Sequence, residues 1–152
     1  MWKCEFELNG QPLSKFKYGA KAIDAFSGMG ANVNRRSAAC LANVGPIPSG
    51  TYYIVDRQSG GLLGPLYDLM GRHDSWFSLY AAGRKIDDET FCNEVRRGNF
   101  RLHPKGALGV SRGCITIERL SDFTLMRAVL LGKAKQPIPG SALRAYGYVV
   151  VK

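Results

Sequence analysis

FRLHPKGALGVSRGCITI, residues 100–117, decides how this 152-residue chain is read. Phe100 and Leu102 alternate with Arg101 and His103, and Cys114 and Thr116 resume the period of two after a Gly-rich connection. Successive side chains of a strand point to opposite faces, so Phe100 and Leu102 enter a core while Arg101 and His103 lie side by side on the other face. Pro104-Lys105-Gly106-Ala107-Leu108-Gly109 turns the chain back. The reading is therefore a hairpin whose second arm starts with Ser111-Arg112-Gly113-Cys114, close to where His103 leaves the first arm.

That pattern suits a thiol nucleophile. A free cysteine is mostly protonated at neutral pH, and a neighbouring imidazole can take the proton and leave the thiolate. Gly113 has no Cβ and lets a substrate backbone approach. The Gly113 and Cys114 amides are candidate oxyanion donors. Arg112 adds a charge that lowers the thiol pKa and a fork that can hold a carboxylate; Ser111 and Arg101 complete the candidate substrate-binding set. The residues alone leave a second reading open, in which Cys114 is a small buried hydrophobe and His103 a structural donor.

Outward from this stretch the chain reads as short strands. Trp2, Cys4, Phe6 and Leu8 alternate with Lys3, Glu5 and Glu7, and Asn9-Gly10 signals a tight turn into a strand over 13–18. A third strand is expected at 22–26. Residues 27–44 then form a long polar loop, either a groove wall or a surface excursion. Gly45-Pro46-Ile47-Pro48-Ser49-Gly50 launches a β-branched and aromatic strand over 51–55, closed by Ser59-Gly60-Gly61. Residues 62–70 fit either a short helix or an irregular strand, His73 falls in a polar loop, and 76–82 read as a strand. Ile86-Asp87-Asp88-Glu89 reads best as charge at the start of a helix over 90–95; the alternatives are orienting His103 or binding a substrate amine. Ser121 is placed as the N-cap of a helix over 122–131, stapled by Leu120 and Leu125 and burying Phe123, Met126 and Leu130. Gly132 ends this helix, which braces the Cys114 strand. A last strand covers 146–151. The sum is a single domain over 1–152, mainly β in the α+β sense, with seven to nine strands in a sandwich or barrel and one firm helix.

The bulk chemistry narrows the partners. A net charge of +9 attracts polyanions such as nucleic acid, anionic lipid or acidic cell-wall polymer. The basic residues are scattered, with Arg35-Arg36 and Arg96-Arg97 the only Arg-Arg doublets, so nucleic acid ranks well behind cell wall. Met1-Trp2-Lys3-Cys4-Glu5-Phe6 contains no apolar core of a signal peptide, and no run is long enough to span a membrane. The expected origin is therefore the cytoplasm. Cys4, Cys40, Cys92 and Cys114 match no zinc spacing, and the chemistry asks for no metal or cofactor. With Cys114 free, the other three allow at most one disulfide, and reduced buried thiols are the expectation for a cytoplasmic product.

Three segments carry a family resemblance: Phe26-Ser27-Gly28; Gly45-Pro46-Ile47-Pro48-Ser49-Gly50-Thr51-Tyr52; and Phe100-Arg101-Leu102-His103-Pro104 with Ser111-Arg112-Gly113-Cys114-Ile115. The last resembles the S-x-G-C signature and upstream His of the L,D-transpeptidase catalytic domain. All three together are similar to the peptidoglycan-targeting L,D-transpeptidase-like effectors of bacterial type VI secretion systems. The chain departs from the wider domain in having Arg112 where a second His is usual, and in a shorter His-to-Cys separation. The resemblance implies an L,D-transpeptidase-like β-sandwich with one bracing helix. It also implies attack of Cys114 on the third residue of a tetrapeptide stem, with His103 as the base. L,D-carboxypeptidase cleavage or D-amino-acid exchange would follow. It implies type VI machinery as the delivery partner, a cognate immunity protein, and action in the periplasm of a target bacterium. A backbone carbonyl is the expected orienting group for His103. The rival readings are a non-catalytic basic wall-binding domain and a cysteine peptidase or amidase cutting another stem bond.

Overall fold

The computed structural model describes residues 1–57, 75–83, 85–106 and 113–152. The turn expected at 59–61, the ambiguous segment 62–70, His73, and the candidate site residues Ser111 and Arg112 lie outside the described residues.

The described strands are β1 (Trp2–Phe6), β2 (Ser14–Tyr18), β3 (Lys21–Phe26), β4 (Gly50–Asp56), β5 (Phe77–Ala81), β6 (Glu89–Cys92), β7 (Val95–Gly98), β8 (Arg101–Pro104), β9 (Ile115–Ile117), β10 (Gln136–Pro137), β11 (Arg144–Ala145) and β12 (Gly147–Val151). A twelve-residue helix, α1 (Leu120–Leu131), follows β9. Eight strands close a barrel in the order β1-β12-β4-β5-β8-β9-β3-β2, and β6-β7 and β10-β11 form two separate ribbons. Among the described residues the fold is mainly β with one α-helix, and of the sandwich and barrel alternatives the barrel is the one realised. Closure removes the edges that an open sheet would leave unpaired.

Alternation builds the wall. Cys4 and Phe6 of β1, Phe16 and Tyr18 of β2, and Val149 and Val151 of β12 point inward and are buried, while Lys3, Lys15 and Lys17 are exposed. Phe100 and Leu102 enter the same core, as the period of two requires. α1 contributes Phe123, Met126 and Leu130 to that core, beside Ile115 and Ile117 of β9. Each such fully buried side chain is worth about 1.5–3 kcal/mol. The helix thereby braces the strand that follows Cys114.

Four local expectations are corrected. Residues 100–117 are not a hairpin: β8 and β9 run parallel, with Leu102 opposite Ile115, His103 opposite Thr116 and Pro104 opposite Ile117. Alternation is the same for either direction of pairing, so it sets the faces and leaves the orientation open. Residues 90–95 are not helical but the heart of the β6–β7 ribbon, turned by Asn93 and Glu94, both at positive φ. Two consecutive left-handed residues are what a two-residue type I′ hairpin turn demands, and Asn supplies the first at little cost. The N-cap of α1 is Arg119 rather than Ser121, and Leu120 and Leu125 are exposed, so no hydrophobic staple forms. Finally, Asn9-Gly10 does not close a tight two-residue turn. The Asn9 side chain accepts from Gln11 N–H and donates to the Leu13 carbonyl, knitting a wider loop between β1 and β2.

The long segment after β3 is pinned at both ends. Buried Asn34, at φ +54°, accepts from the Ser27 N–H at 2.9 Å and donates to the Gln11 carbonyl at 2.8 Å. Ser27 Oγ in turn accepts from the Ile47 N–H at 2.8 Å. These bonds satisfy backbone groups that burial would otherwise leave unpaired.

Candidate active site

The parallel register fixes the site. Two residues before the His103–Thr116 pair, and one before Leu102–Ile115, the same register brings Arg101 beside Cys114. Partners in register share a face, so Arg101, His103, Cys114 and Thr116 form one block on the side away from the core, backed by Phe100, Leu102, Ile115 and Ile117. His103 and Cys114 are therefore brought to one face as diagonal neighbours, not as the facing ends of a hairpin.

His103 is only 7% exposed. Its Nδ1 lies 2.7 Å from the Pro104 carbonyl oxygen. That oxygen can only accept, so Nδ1 carries a proton, and in the neutral ring Nε2 is then the nitrogen with the lone pair, the tautomer a general base needs. Thr116 Oγ1 sits 3.5 Å from Nε2. Trp76 stacks on the imidazole with centroids 4.2 Å apart and planes at 21°, which holds the ring in its plane and keeps water off that face. Sequence reading assigned nothing to Trp76 or Thr116. Thr116 was within reach of it, since it shares a strand face with Cys114; Trp76 enters through the β5–β8 neighbour relation, which has no local signature.

Cys114 forms no disulfide and is partly exposed, and its Sγ lies 3.8 Å from the Asn99 carbonyl. Burial pushes its thiol above the ordinary range. A hydrogen bond from the Arg101 backbone, the Arg101 charge and the Arg97 charge oppose this, while Asp88 reinforces it. A thiol raised in this way is held in its neutral form at neutral pH.

Arg101 holds a carboxylate of the chain itself. Its guanidinium grips both carboxylate oxygens of Asp88, at 2.8 and 2.7 Å, so its fork is already occupied. Asp88 caps no helix: it is the counter-ion of Arg101. Gly113 is also required by its immediate surroundings. At φ +97° a Cβ there would lie 2.5 Å from Arg97 Nη2 and 2.8 Å from Phe100 Cε1, so neither the conformation nor the space admits a side chain.

Two hollows flank this face. One, of about 290 Å³, is lined by Asn43, Asp88, Glu89, Arg96, Arg97 and Asn99, whose carbonyl faces the thiol. The other, of about 610 Å³, lies past the far ends of β8 and β9, between Lys105, Glu118, Phe26 and the segment holding Gly30, Val33 and Arg35. That segment is the one read as either groove wall or excursion, and it does line a cleft. Phe26 is the register partner of Thr116, so the larger cleft continues from the His103 face.

The disulfide expectation is corrected as well. Cys40 and Cys92 are bonded across a sequence separation of 52, joining the loop before β4 to the β6–β7 ribbon, and Cys4 is buried and reduced. Among the described residues no group of three or more His, Cys, Asp or Glu is placed to hold a metal, and no helix is long and apolar enough to cross a membrane.

A family model described as the Tlde1 domain matches residues 21–141 of this chain, which takes in β3, the long loop, both site strands and α1. No curated protein and no solved structure matches it.

Proposed function

The chain belongs to the Tlde1 domain family, a family of type VI secretion effectors, and from that premise we propose that it is a cysteine acyl-transfer enzyme acting on peptidoglycan stem peptides. The observation that carries the reading is Cys114 at the head of β9, beside the strand that presents His103 with Nδ1 committed to the Pro104 carbonyl. Cys114 Sγ adds to the carbonyl carbon of the third stem residue as Nε2 of His103 takes the thiol proton. The Gly113 and Cys114 amides receive the oxyanion. The bond to the terminal D-amino acid breaks, its nitrogen takes the proton from His103, and a thioester remains on Cys114. Water then releases a tripeptide, which is L,D-carboxypeptidase activity; a D-amino acid amine in place of water gives exchange.

The family premise supports delivery by type VI machinery into the periplasm of a target cell and a cognate immunity protein in the producer. The Cys40–Cys92 bond accords with an oxidising compartment. A binding-only reading draws on one observation, the raised thiol of Cys114.

The test is mass spectrometry of disaccharide-tetrapeptides incubated with wild type, Cys114→Ala and His103→Ala. Loss of the terminal D-Ala, or its replacement by an added D-amino acid, is expected with wild type alone. Equal turnover by a folded Cys114→Ala protein would overturn the mechanism, and cleavage at another stem bond would overturn the substrate assignment. Unchanged fragments together with an unreactive thiol would move the reading to a wall-binding domain.

A further inference from the structure

Arg97 is the most deeply buried cation among the described residues, 3% exposed, and it makes no ion pair there. A guanidinium cannot shed its proton, so its burial must be offset by donors finding acceptors. Nη1 donates to the Ala39 and Pro46 carbonyls and Nη2 to the Gly45 carbonyl. Its carbon lies 5.4 Å from the centroid of the Phe100 ring. All three acceptors belong to the loop that enters β4. The same guanidinium abuts Gly113, close enough that Nη2 would collide with a Cβ there. Arg97 thus spans three segments that share no strand pairing: the 39–46 loop, the β6–β7 ribbon and the residue before the nucleophile. The Cys40–Cys92 bond ties two of them together within a few residues of these contacts.

Among the described residues no carboxylate pairs with this charge, whereas the neighbouring Arg101 charge is spent on Asp88. The groups left within the field of Arg97 are the buried Tyr52 hydroxyl and the Cys114 sulfur, and of the two only the sulfur lies at the proposed reacting centre. A planar fork is also the group that can hold several carbonyls rigidly; an ammonium is a point charge on a flexible stem.

We infer that Arg97 is the positioning residue of the nucleophile: it fixes the Gly113–Cys114 peptide in its left-handed turn and supplies an unneutralised positive charge behind it. The kinetic half of this rests on the acyl-transfer reading above; the thiol half does not.

The experiment separates geometry from charge. Arg97→Lys keeps the charge and loses the fork, and Arg97→Gln loses the charge and keeps a planar donor. Three readouts are taken on the disulfide-intact proteins: circular dichroism, the pH midpoint of Cys114 alkylation by iodoacetamide, and kcat and KM on disaccharide-tetrapeptides. Both variants are expected to fold. Arg97→Lys should lower kcat roughly ten- to hundredfold at unchanged KM, the penalty of a misplaced reacting group, while its alkylation midpoint stays near wild type. Arg97→Gln should lower kcat and also move the alkylation midpoint to higher pH. Folded variants with wild-type kcat and wild-type midpoint would overturn the inference, as would failure of both to fold, which would assign Arg97 to the barrel rather than to the nucleophile. If wild type itself turns nothing over, the acyl-transfer reading falls and the alkylation midpoints still decide the role of Arg97: a midpoint unmoved in Arg97→Gln refutes it.

Discussion

Replacing Cys40 and Cys92 together by serine opens a loop whose ends are 52 residues apart. In the chain-entropy description, closing a loop of that length removes about 4 kcal/mol of conformational freedom from the unfolded chain. Both sulfurs sit at partly exposed positions, so hydroxyls there meet water and add little further cost. For a domain of this size 1 kcal/mol corresponds to about 3 °C, which places the expected fall in Tm at about 12 °C. Scanning calorimetry of wild type and Cys40→Ser/Cys92→Ser without reductant measures it, and wild type in excess reductant should coincide with the double variant. A fall below about 3 °C would refute the reasoning, because the bond would then constrain nothing that the barrel does not already hold.

Three further outcomes follow from the geometry. Asp88→Asn removes a carboxylate that raises the Cys114 thiol, so the pH midpoint of Cys114 alkylation should move down; an unchanged midpoint would mean that Asp88 does not act on the sulfur. Gly113→Ala forces a Cβ into Arg97 and Phe100 at a φ that L residues avoid, and should cost more than about 2 kcal/mol in urea unfolding, since such clashes and strained backbones each cost roughly 1–3 kcal/mol. Alkaline stability provides the last. Burial raises Cys4 from 9.0 to about 12, so its neutral form is favoured in the fold, its contribution is complete below pH 9 and is lost as pH climbs from 9 toward 12. Between pH 8 and 10.5 this single group should remove about 2 kcal/mol, and Cys4→Ala, though less stable at pH 8, should have the shallower slope of unfolding free energy against pH; an equal slope would refute the assignment.

The strands of the barrel were legible wherever one face is wet and the other dry. Lys15 and Lys17 alternating with Phe16 and Tyr18 could be read without a structure, and so could the opposed faces of Arg101–His103 and Phe100–Leu102. Alternation says which face a residue takes but not which strand it takes it beside. That is why the neighbours β8 and β9 were expected antiparallel and proved parallel, and why Cys114 sits opposite Arg101 rather than His103. Residues 89–98 misled for a different reason. Acidic residues before a short mixed segment resemble a helix start, and only the left-handed pair Asn93-Glu94 marks the hairpin, a conformation that a non-Gly pair does not advertise. The disulfide and Arg97 were invisible because both depend on the 39–46 loop folding against a ribbon some fifty positions later. Arg97 was noted only as half of a basic doublet, yet it is buried while Arg96 pairs loosely with Glu89 at the surface.

The barrel closes by laying its first strand parallel to its last, Trp2 beside Gly147 and Phe6 beside Val151. Traction applied to Trp2 and Val151 therefore runs along the two strands in opposite directions. It loads every hydrogen bond of that seam at once, in shear, instead of peeling them one by one. The molecule should resist stretching from its ends far better than its modest seam would resist unzipping, and a pulling machine would meet its highest force at the first step, before any other part of the barrel has begun to open.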